Sequence, residues 1–99
     1  MLNLNSGQRQ YLRRLAHDLR PVVQIGKQGL TAAVIAAVDT ALTAHELIKV
    51  KFGEFKDEKS ALADQLTEAT DSALVGLVGN VAILFREHPE PTERQIVLP

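Results

Sequence analysis

The chain contains no cysteine and no tryptophan, and one Tyr and three Phe are its only aromatic residues. The lack of cysteine excludes a disulfide framework and any thiolate-bound metal. Disulfides are not required for stability, because a chain of this size hides roughly two-thirds of its unfolded surface on folding. Residues 1–5 have neither a basic flank nor an apolar core, and no run of about eighteen apolar residues follows, which excludes a signal peptide and a membrane span. We therefore expect one cytoplasmic domain over residues 1–99, with no membrane partner.

Charge is distributed unevenly between the two halves of the chain, although the formal total is -1. Residues 1–51 carry seven Lys or Arg against three Asp or Glu, a balance of +4, whereas residues 52–99 carry four against nine, a balance of -5. A fold that gathers the cations of the first half on one side would create a local positive field despite the acidic total. The alternative, that both halves are ordinary solvated surface, stays open on the charges alone.

The spacing of apolar residues predicts three helices and four strands in the order αβαβαββ. The predicted helices cover about residues 6–18 with Ser6 as N-cap, the segment after a Thr31 cap, and about residues 57–70 with Asp57 as cap. The predicted strands cover residues 21–25, residues 47–52, and two apolar runs at 73–78 and 81–86 that flank a hairpin turn at Gly79-Asn80.

This order of elements predicts an α/β (α+β) two-layer sandwich built on a four-stranded mixed sheet. Each strand–helix–strand step should be a right-handed parallel crossover, and the last two strands should form an antiparallel hairpin. The core is expected over about residues 4–86, followed by an extended acidic tail over residues 87–99. The order of the strands, and whether residues 96–98 dock back onto the core, stay open.

Two sets of basic residues lie at regular spacings in the first half of the chain. Arg9, Arg13 and His17 follow one another at i, i+4 and i+8, so they share one flank of the first helix. In the second strand, alternation places Lys49 and Lys51 on the face opposite the apolar residues. Like charges in a row do not stabilise a helix, so the flank is either solvated surface or part of a binding site.

The residues that catalysis or metal binding would need are scattered. His17, His45 and His88 lie on three different elements with no HxxH or HExxH spacing, so no metal site is predicted. Neither a GxSxG nucleophile motif nor a P-loop is present. Asp57 and Glu58 lie at a predicted helix start, where the helix dipole explains them without acid–base chemistry. We expect a non-enzyme, with no catalytic residue, metal or cofactor.

The segment Gly26-Lys27-Gln28-Gly29 is the best candidate for a binding role. It connects a strand to a helix, so backbone N–H groups at the helix start lie beside the Lys27 cation, an arrangement that attracts phosphate. Short strand-to-helix turns also use glycine for its conformational freedom alone, so the motif is weak evidence in isolation.

Four stretches of the sequence together resemble the stand-alone YhbY-type CRM domain of bacteria, where CRM stands for chloroplast RNA splicing and ribosome maturation. They are LRRLAH at residues 12–17, PVVQIGKQGLT at 21–31, HELIKVK at 45–51 and LFR at 84–86. The resemblance spans about residues 4–98, and the combination is much more specific than the GxxG motif within it. Phe85 stands where many members of the family have Tyr.

The resemblance implies an RNA-binding domain with this αβαβαββ order, similar to the C-terminal domain of the third bacterial translation initiation factor. It also implies association with ribosomal RNA in precursors of the large ribosomal subunit, and assistance in their assembly. We expect contact mainly with the RNA backbone, because four aromatic residues allow only limited base stacking. The expected RNA-binding residues are Gly26, Lys27, Gln28 and Gly29 in the loop, and Arg13, Arg14, Arg20, Lys49 and Lys51 on a basic face.

Two other functions are consistent with the same sequence. In the first, the protein is an interaction module whose acidic half, especially residues 87–93, docks on basic ribosomal proteins while RNA contact is incidental. In the second, it is a small-ligand regulatory domain, which requires an apolar pocket and stabilisation by the ligand. No residue pattern favours the second.

Overall fold

The computed structural model describes residues 3–99, and the predicted αβαβαββ order is confirmed. Met1 and Leu2, part of the segment considered for a signal peptide, lie outside the described residues. None of the described helices is long and apolar enough to cross a membrane. The elements are α1 (Ser6–Ala16), β1 (Pro21–Ile25), α2 (Ala32–His45), β2 (Leu47–Phe52), α3 (Lys59–Thr70), β3 (Ala73–Val78) and β4 (Val81–Phe85), with 3₁₀ turns at Lys56–Glu58 and Pro91–Glu93.

The N-caps of two helices differ from the prediction. Asn5, not Ser6, caps α1, because its side chain accepts the Gln8 amide at 2.8 Å while the Gln8 side chain accepts the Asn5 amide at 3.1 Å. This reciprocal pair satisfies two donors at once, which a cap at Ser6 cannot do in the same register. Asp57 lies inside the 3₁₀ turn that precedes α3, so it does not cap that helix. Thr31 caps α2 as predicted, accepting the Val34 amide at 3.1 Å.

The four strands form one mixed sheet in the order β1-β2-β4-β3. β1 runs parallel to β2, and β4 runs antiparallel to both of its neighbours, β2 and β3. The predicted hairpin turns at Gly79-Asn80, where Gly79 has a φ of 58°, a conformation that glycine adopts without steric cost. The hairpin returns β4 into the space beside β2, so β3 takes the outer position.

Helices cover both faces of the sheet. On one face, which we call the closed face, Ile48, Val50 and Phe52 of β2 pack with residues of α2 and α3 in one buried cluster. On the opposite face, Leu12 and Ala16 of α1 belong to a second cluster with residues of β3 and β4. The sheet with α2 and α3 makes up the expected two layers, and α1 adds a partial layer on the other side.

Glu46 is a buried carboxylate that holds the C-terminal segment against the fold. The residue is 1% exposed. Its Oε2 accepts the His88 amide at 2.8 Å, and its Oε1 accepts the Gln95 and Ile96 amides at 2.7 and 3.0 Å. These bonds place Ile96 and Leu98 against the α1 cluster. The last residues of the chain therefore do dock back, which the sequence left open.

Arg86 joins β4 to both helices of the closed face. Its Nη1 donates to Asp39 Oδ1 at 2.6 Å and to the Thr70 carbonyl at 2.7 Å. Its Nη2 donates to the Asp39 carbonyl at 3.0 Å and to Thr43 Oγ1 at 2.9 Å. Four bonds to two helices make this cation a structural residue, although it belongs to one of the stretches on which the family resemblance rests.

We predict that Glu46→Ala lowers the free energy of unfolding by about 3 kcal/mol, because three partly buried amides lose a charged acceptor. The measurement is urea unfolding of the full chain. Glu90→Ala, which removes an exposed carboxylate from the same segment, is the control and should change the free energy of unfolding by less than about 0.5 kcal/mol. A Glu46→Ala protein as stable as the parent would contradict the assigned role.

Candidate nucleic-acid interface

The face of the sheet opposite the closed face carries two lysines of β2. Because side chains alternate along a strand, burial of Ile48, Val50 and Phe52 turns Lys49 and Lys51 to this side. The register pairs Lys51 with Gln24 of β1 and Val81 of β4, and Val81 in turn with Val78 of β3. The described part of this face therefore combines cations with aliphatic side chains.

A groove of about 340 Å³ lies between α1 and this part of the sheet. We call it the sheet groove. Val78 and Val81 form much of its floor together with Ile83, and Arg13, His17 and Lys49 stand around it. The full lining of the sheet groove is Arg13, His17, Pro21, Lys49, Val78, Val81 and Ile83.

The arginines of α1 are held against β3. Arg9 Nη1 donates to the Leu74 carbonyl, and Arg13 Nη2 donates to the Val75 carbonyl at 3.3 Å. Gly76 makes room for this contact, because a Cβ there would lie 2.9 Å from Arg13 Nε. Of the three residues predicted to share a flank of α1, Arg9 and Arg13 therefore face the sheet. Arg13 also stands at the edge of the sheet groove.

Lys49 is fixed at the C-terminal end of α1. Its Nζ donates to the His17 carbonyl at 3.3 Å and to the Leu19 carbonyl at 3.0 Å. Carbonyls at a helix C-terminus lack partners within the helix and carry partial negative charge, so a cation there is favourable. The bonds place the Lys49 charge at one end of the sheet groove rather than leaving it free in solvent.

The Gly26-Lys27-Gln28-Gly29 loop closes as a tight turn, with the Gly29 amide donating to the Gly26 carbonyl at 3.0 Å. Gly29 has a φ of 72°, a conformation that strains other residues. Gly26 has no atom within 4 Å of the position where a Cβ would be, so the backbone there is open to a ligand. Within the described chain, the Lys27 and Gln28 amides donate to no protein acceptor. Two of the loop amides are therefore available, and the Gly29 amide is used by the turn itself.

Acidic residues stand close to the loop. Lys27 lines a shallow depression with residues 53–58, which include Glu54, Asp57 and Glu58 as well as Lys56. Phe55 lies against the loop, since a Cβ at Gly29 would be 3.6 Å from its ring. The positive field at Lys27 is therefore reduced by neighbouring carboxylates, in contrast to the sheet groove, whose lining includes none.

The structure brings some of the predicted binding residues together and separates others. Arg13, Lys49 and Lys51 share the face with the sheet groove, and Arg14 lies beside it in a depression that also contains Asp18. Lys27 lies beyond the C-terminal end of β1, about 20 Å along the strand from Pro21. Arg20 lines a separate apolar depression with Leu15, Leu19 and Val22 among others. None of these six predicted cations forms an ion pair within the described residues.

Several residues of this surface were not predicted from the sequence. The sequence predicts Val78 and Val81 as hairpin residues, but their position beside Lys51 depends on the strand order, which the sequence leaves open. Gly76 had a readable signal, because an isolated glycine inside a strand often marks a close approach of another group. Phe85 stands at a position where many members of the resembled family have Tyr. It is fully buried in the α1 cluster, so its ring is not part of the surface.

Among residues 3–99, no three His, Cys, Asp or Glu side chains come together in a way that could hold a metal ion. The sheet groove and the Gly26–Gly29 loop offer a ligand mainly cations, backbone amides and aliphatic side chains. Such a surface can hold an anion that also carries apolar area.

The sequence and the fold both have relatives among known proteins. A family model described as the CRS1 / YhbY (CRM) domain matches residues 4–86. A protein of Haemophilus influenzae named RNA-binding protein is 40% identical over 91% of this chain and 92% of its own length. The Bacillus subtilis protein named Probable RNA-binding protein YqeI is 37% identical over 97% of this chain and 99% of its own length. The solution structure of a hypothetical protein from Staphylococcus aureus has a TM-score of 0.81 and 41% identity, covering 98% of this chain and all of that one.

We predict that Gly76→Ala displaces the Arg13 guanidinium while lowering the free energy of unfolding by no more than about 1 kcal/mol, since one hydrogen bond is lost and a flexible side chain can move. The Arg13 Nε–H signal in an NMR spectrum should shift, whereas the Arg9 signal should not. Gly26→Ala is the control, because no atom lies near its added Cβ. An unchanged Arg13 signal in Gly76→Ala would contradict this geometry.

Proposed function

The chain belongs to the CRS1/YhbY (CRM) domain family, and from this premise we propose that it binds RNA through phosphate contacts on the face that carries the sheet groove and at the Gly26–Gly29 loop. The observation that supports the proposal best is the set of cations on that face. Arg13, Lys49 and Lys51 lie together there, with no carboxylate paired to them among the described residues. Cations that no protein group neutralises remain able to neutralise phosphates.

The proposed contacts differ between the two parts of the surface. On the sheet face, Arg13 and Lys49 are held by backbone carbonyls, so their charges are already positioned before RNA arrives. At the loop, the Lys27 and Gln28 amides and the Lys27 side chain supply the donors. Phosphate contacts fix the position of a protein on RNA but carry no sequence information directly. We therefore expect modest sequence preference.

The acidic second half limits affinity rather than preventing binding. Glu54, Asp57 and Glu58 line the depression next to Lys27, so they oppose phosphate at the loop. The sheet groove shares no lining residue with that depression and has no acidic lining residue. The tightest phosphate contacts are therefore expected on the sheet face, with the loop as a weaker second site.

We further propose that the RNA is ribosomal RNA in precursors of the large ribosomal subunit, and that the protein assists their assembly in the cytoplasm, with ribosomal proteins as additional partners. This follows from the family resemblance and not from a contact in the structure. A basic surface that contacts the RNA backbone suits the structured RNA of such a precursor. Phosphate groups remain accessible in folded RNA, whereas most bases are paired and stacked.

Binding to a structured fragment of large-subunit ribosomal RNA should weaken with salt, with a slope of log K against log salt near -4 for about five phosphate contacts. Lys27→Gln and Lys51→Gln should each reduce the slope by about 0.7 to 0.9, because each removes one contact. Arg94→Gln is the matched control, because Arg94 lies in the C-terminal segment, away from the proposed surface. Its Nη1 is 3.9 Å from Glu87 Oε2, so a carboxylate already balances its charge. If both lysine variants bind as tightly as the parent, with unchanged slopes, the proposed surface is wrong.

The rival function, docking of the acidic half on basic ribosomal proteins, can be separated from RNA binding in a cell lysate. Truncation after Arg86 would be ambiguous, because Ile96 and Leu98 pack on the α1 cluster and their removal exposes it. Replacing Glu87, Glu90 and Glu93 by Gln removes the charges but keeps the segment.

We predict that the triple Glu-to-Gln protein still co-sediments with large-subunit precursors on a sucrose gradient, and that a Lys27→Gln/Lys51→Gln protein is released at lower salt than the parent. Loss of co-sedimentation in the triple variant, together with parent-like behaviour of the lysine variant, would favour the protein-docking function instead.

A further inference from the structure

We propose that the sheet groove seats the base of an unpaired nucleotide, so that the protein prefers single-stranded segments of its RNA. This inference rests on the proposed function and adds a second kind of contact to it. The phosphate contacts need only cations, whereas the groove combines cations with an aliphatic floor that phosphates alone leave unused.

The floor of the sheet groove is apolar and accessible. Val78 is 62% exposed, and Val81 beside it is half-buried. These two residues are direct cross-strand neighbours on the hairpin. They continue the row formed by Gln24 and Lys51 across the sheet. The exposed aliphatic area therefore lies next to an exposed cation rather than at an isolated site.

Charge complementarity selects the occupant. Arg13, His17 and Lys49 stand around the aliphatic floor, and the groove has no acidic lining residue. An occupant must therefore combine negative charge with a flat apolar part of limited size. The groove volume of about 340 Å³ is at the lower end of the range of small-molecule sites, about 300 to 1,000 Å³. A single nucleotide has this combination, with its phosphate toward the cations and its base on the valines.

Only an unpaired nucleotide can make this contact. In an RNA duplex the faces of the bases are covered by neighbouring bases, and only their edges are exposed in the grooves. A base that leaves the stack exposes a face that can lie on a side chain. The aromatic rings of the protein cannot serve this purpose in the groove. Phe52 and Phe85 are fully buried, Phe55 lies at the loop, and Tyr11 packs on the α1 cluster and lines a different depression.

The first test compares two probes that share a backbone. One is a ten-nucleotide oligoadenylate, and the other is an abasic oligomer of the same length with the same sugars and phosphates. The parent protein should bind oligoadenylate about three- to five-fold more tightly, somewhat less than one aromatic stack contributes. Val78→Ser should remove this preference and leave binding of the abasic oligomer unchanged.

Val22→Ser is the matched control. It makes the same chemical change at another exposed strand valine, 51% exposed, that lines the separate apolar depression with Arg20. Its preference for oligoadenylate should equal that of the parent. Thermal unfolding of all three proteins checks that the exposed substitutions leave the fold intact.

The second test uses Val78→Trp as a reporter, because the chain has no other tryptophan. Oligoadenylate should quench the tryptophan fluorescence and bind more tightly than it does to the parent, since an indole ring is a better stacking surface than valine. The abasic oligomer should leave the fluorescence unchanged at the same occupancy. So should an RNA duplex long enough that its two exposed end pairs are a negligible fraction of its binding sites.

Each of the other outcomes overturns the inference in a recognisable way. If the parent binds oligoadenylate and the abasic oligomer equally, and Val78→Ser changes neither, the groove seats no base while the phosphate-binding function stands. If a polyglutamate peptide quenches Val78→Trp as strongly as oligoadenylate, the groove belongs to an acidic protein segment. If neither the oligomers nor a structured ribosomal RNA fragment binds, the proposed function fails together with the inference.

Discussion

The alternation of side chains along β2 is the constraint on which the rest of the molecule depends. Burial of Ile48, Val50 and Phe52 against α2 and α3 gives the fold its largest apolar cluster. The same burial obliges Lys49 and Lys51 to lie on the other side of the strand. A shift of the strand by one residue would reverse both roles at once, burying two charges and exposing the apolar residues. The stability of the core and the position of the binding cations are therefore set by one register.

One part of the opposite face of the sheet is buried under other segments, and the other part is exposed. α1 and the C-terminal segment pack on one part of it, with Glu46 fixing the segment through three amides. The remaining part, toward the hairpin end, stays accessible and forms the sheet groove. The arginines on the flank of α1 stand at the boundary, because Arg9 and Arg13 reach the β3 carbonyls from the covered side. The helix thus supports the sheet and supplies part of the binding surface.

Much of the fold could be predicted from the sequence because its signals are local. The alternation in β2 and the Gly79-Asn80 turn each depend on a few neighbouring residues, and the structure reproduces both. The prediction of Ser6 as N-cap of α1 was wrong. Asn5 and Ser6 are both good capping residues, and the reciprocal hydrogen bonds with Gln8 decide between them. Strand order and the Glu46 contacts depend on groups far apart in sequence, which periodicity does not describe.

The candidate site was predictable only in part, for a related reason. The sequence identified the cations and the Gly26–Gly29 loop, but their relative positions depend on tertiary structure. Arg20 follows α1 closely in sequence, yet it lies in a separate depression. Residues 53–58 bring carboxylates next to Lys27 across the end of the sheet. Charge counted along the chain does not show such neighbours, so it overestimates the field at the loop.

The sheet order also leaves β1 and β3 as outer strands, and both are partly blocked against pairing with another chain. Outer strands present unpaired backbone groups that can recruit a strand from another copy. In β3 two carbonyls are already occupied by guanidinium groups of α1, and β1 is five residues long and begins with Pro21, which has no N–H to donate. Neither margin of the sheet therefore offers a full row of free backbone groups to which a strand of another copy could pair.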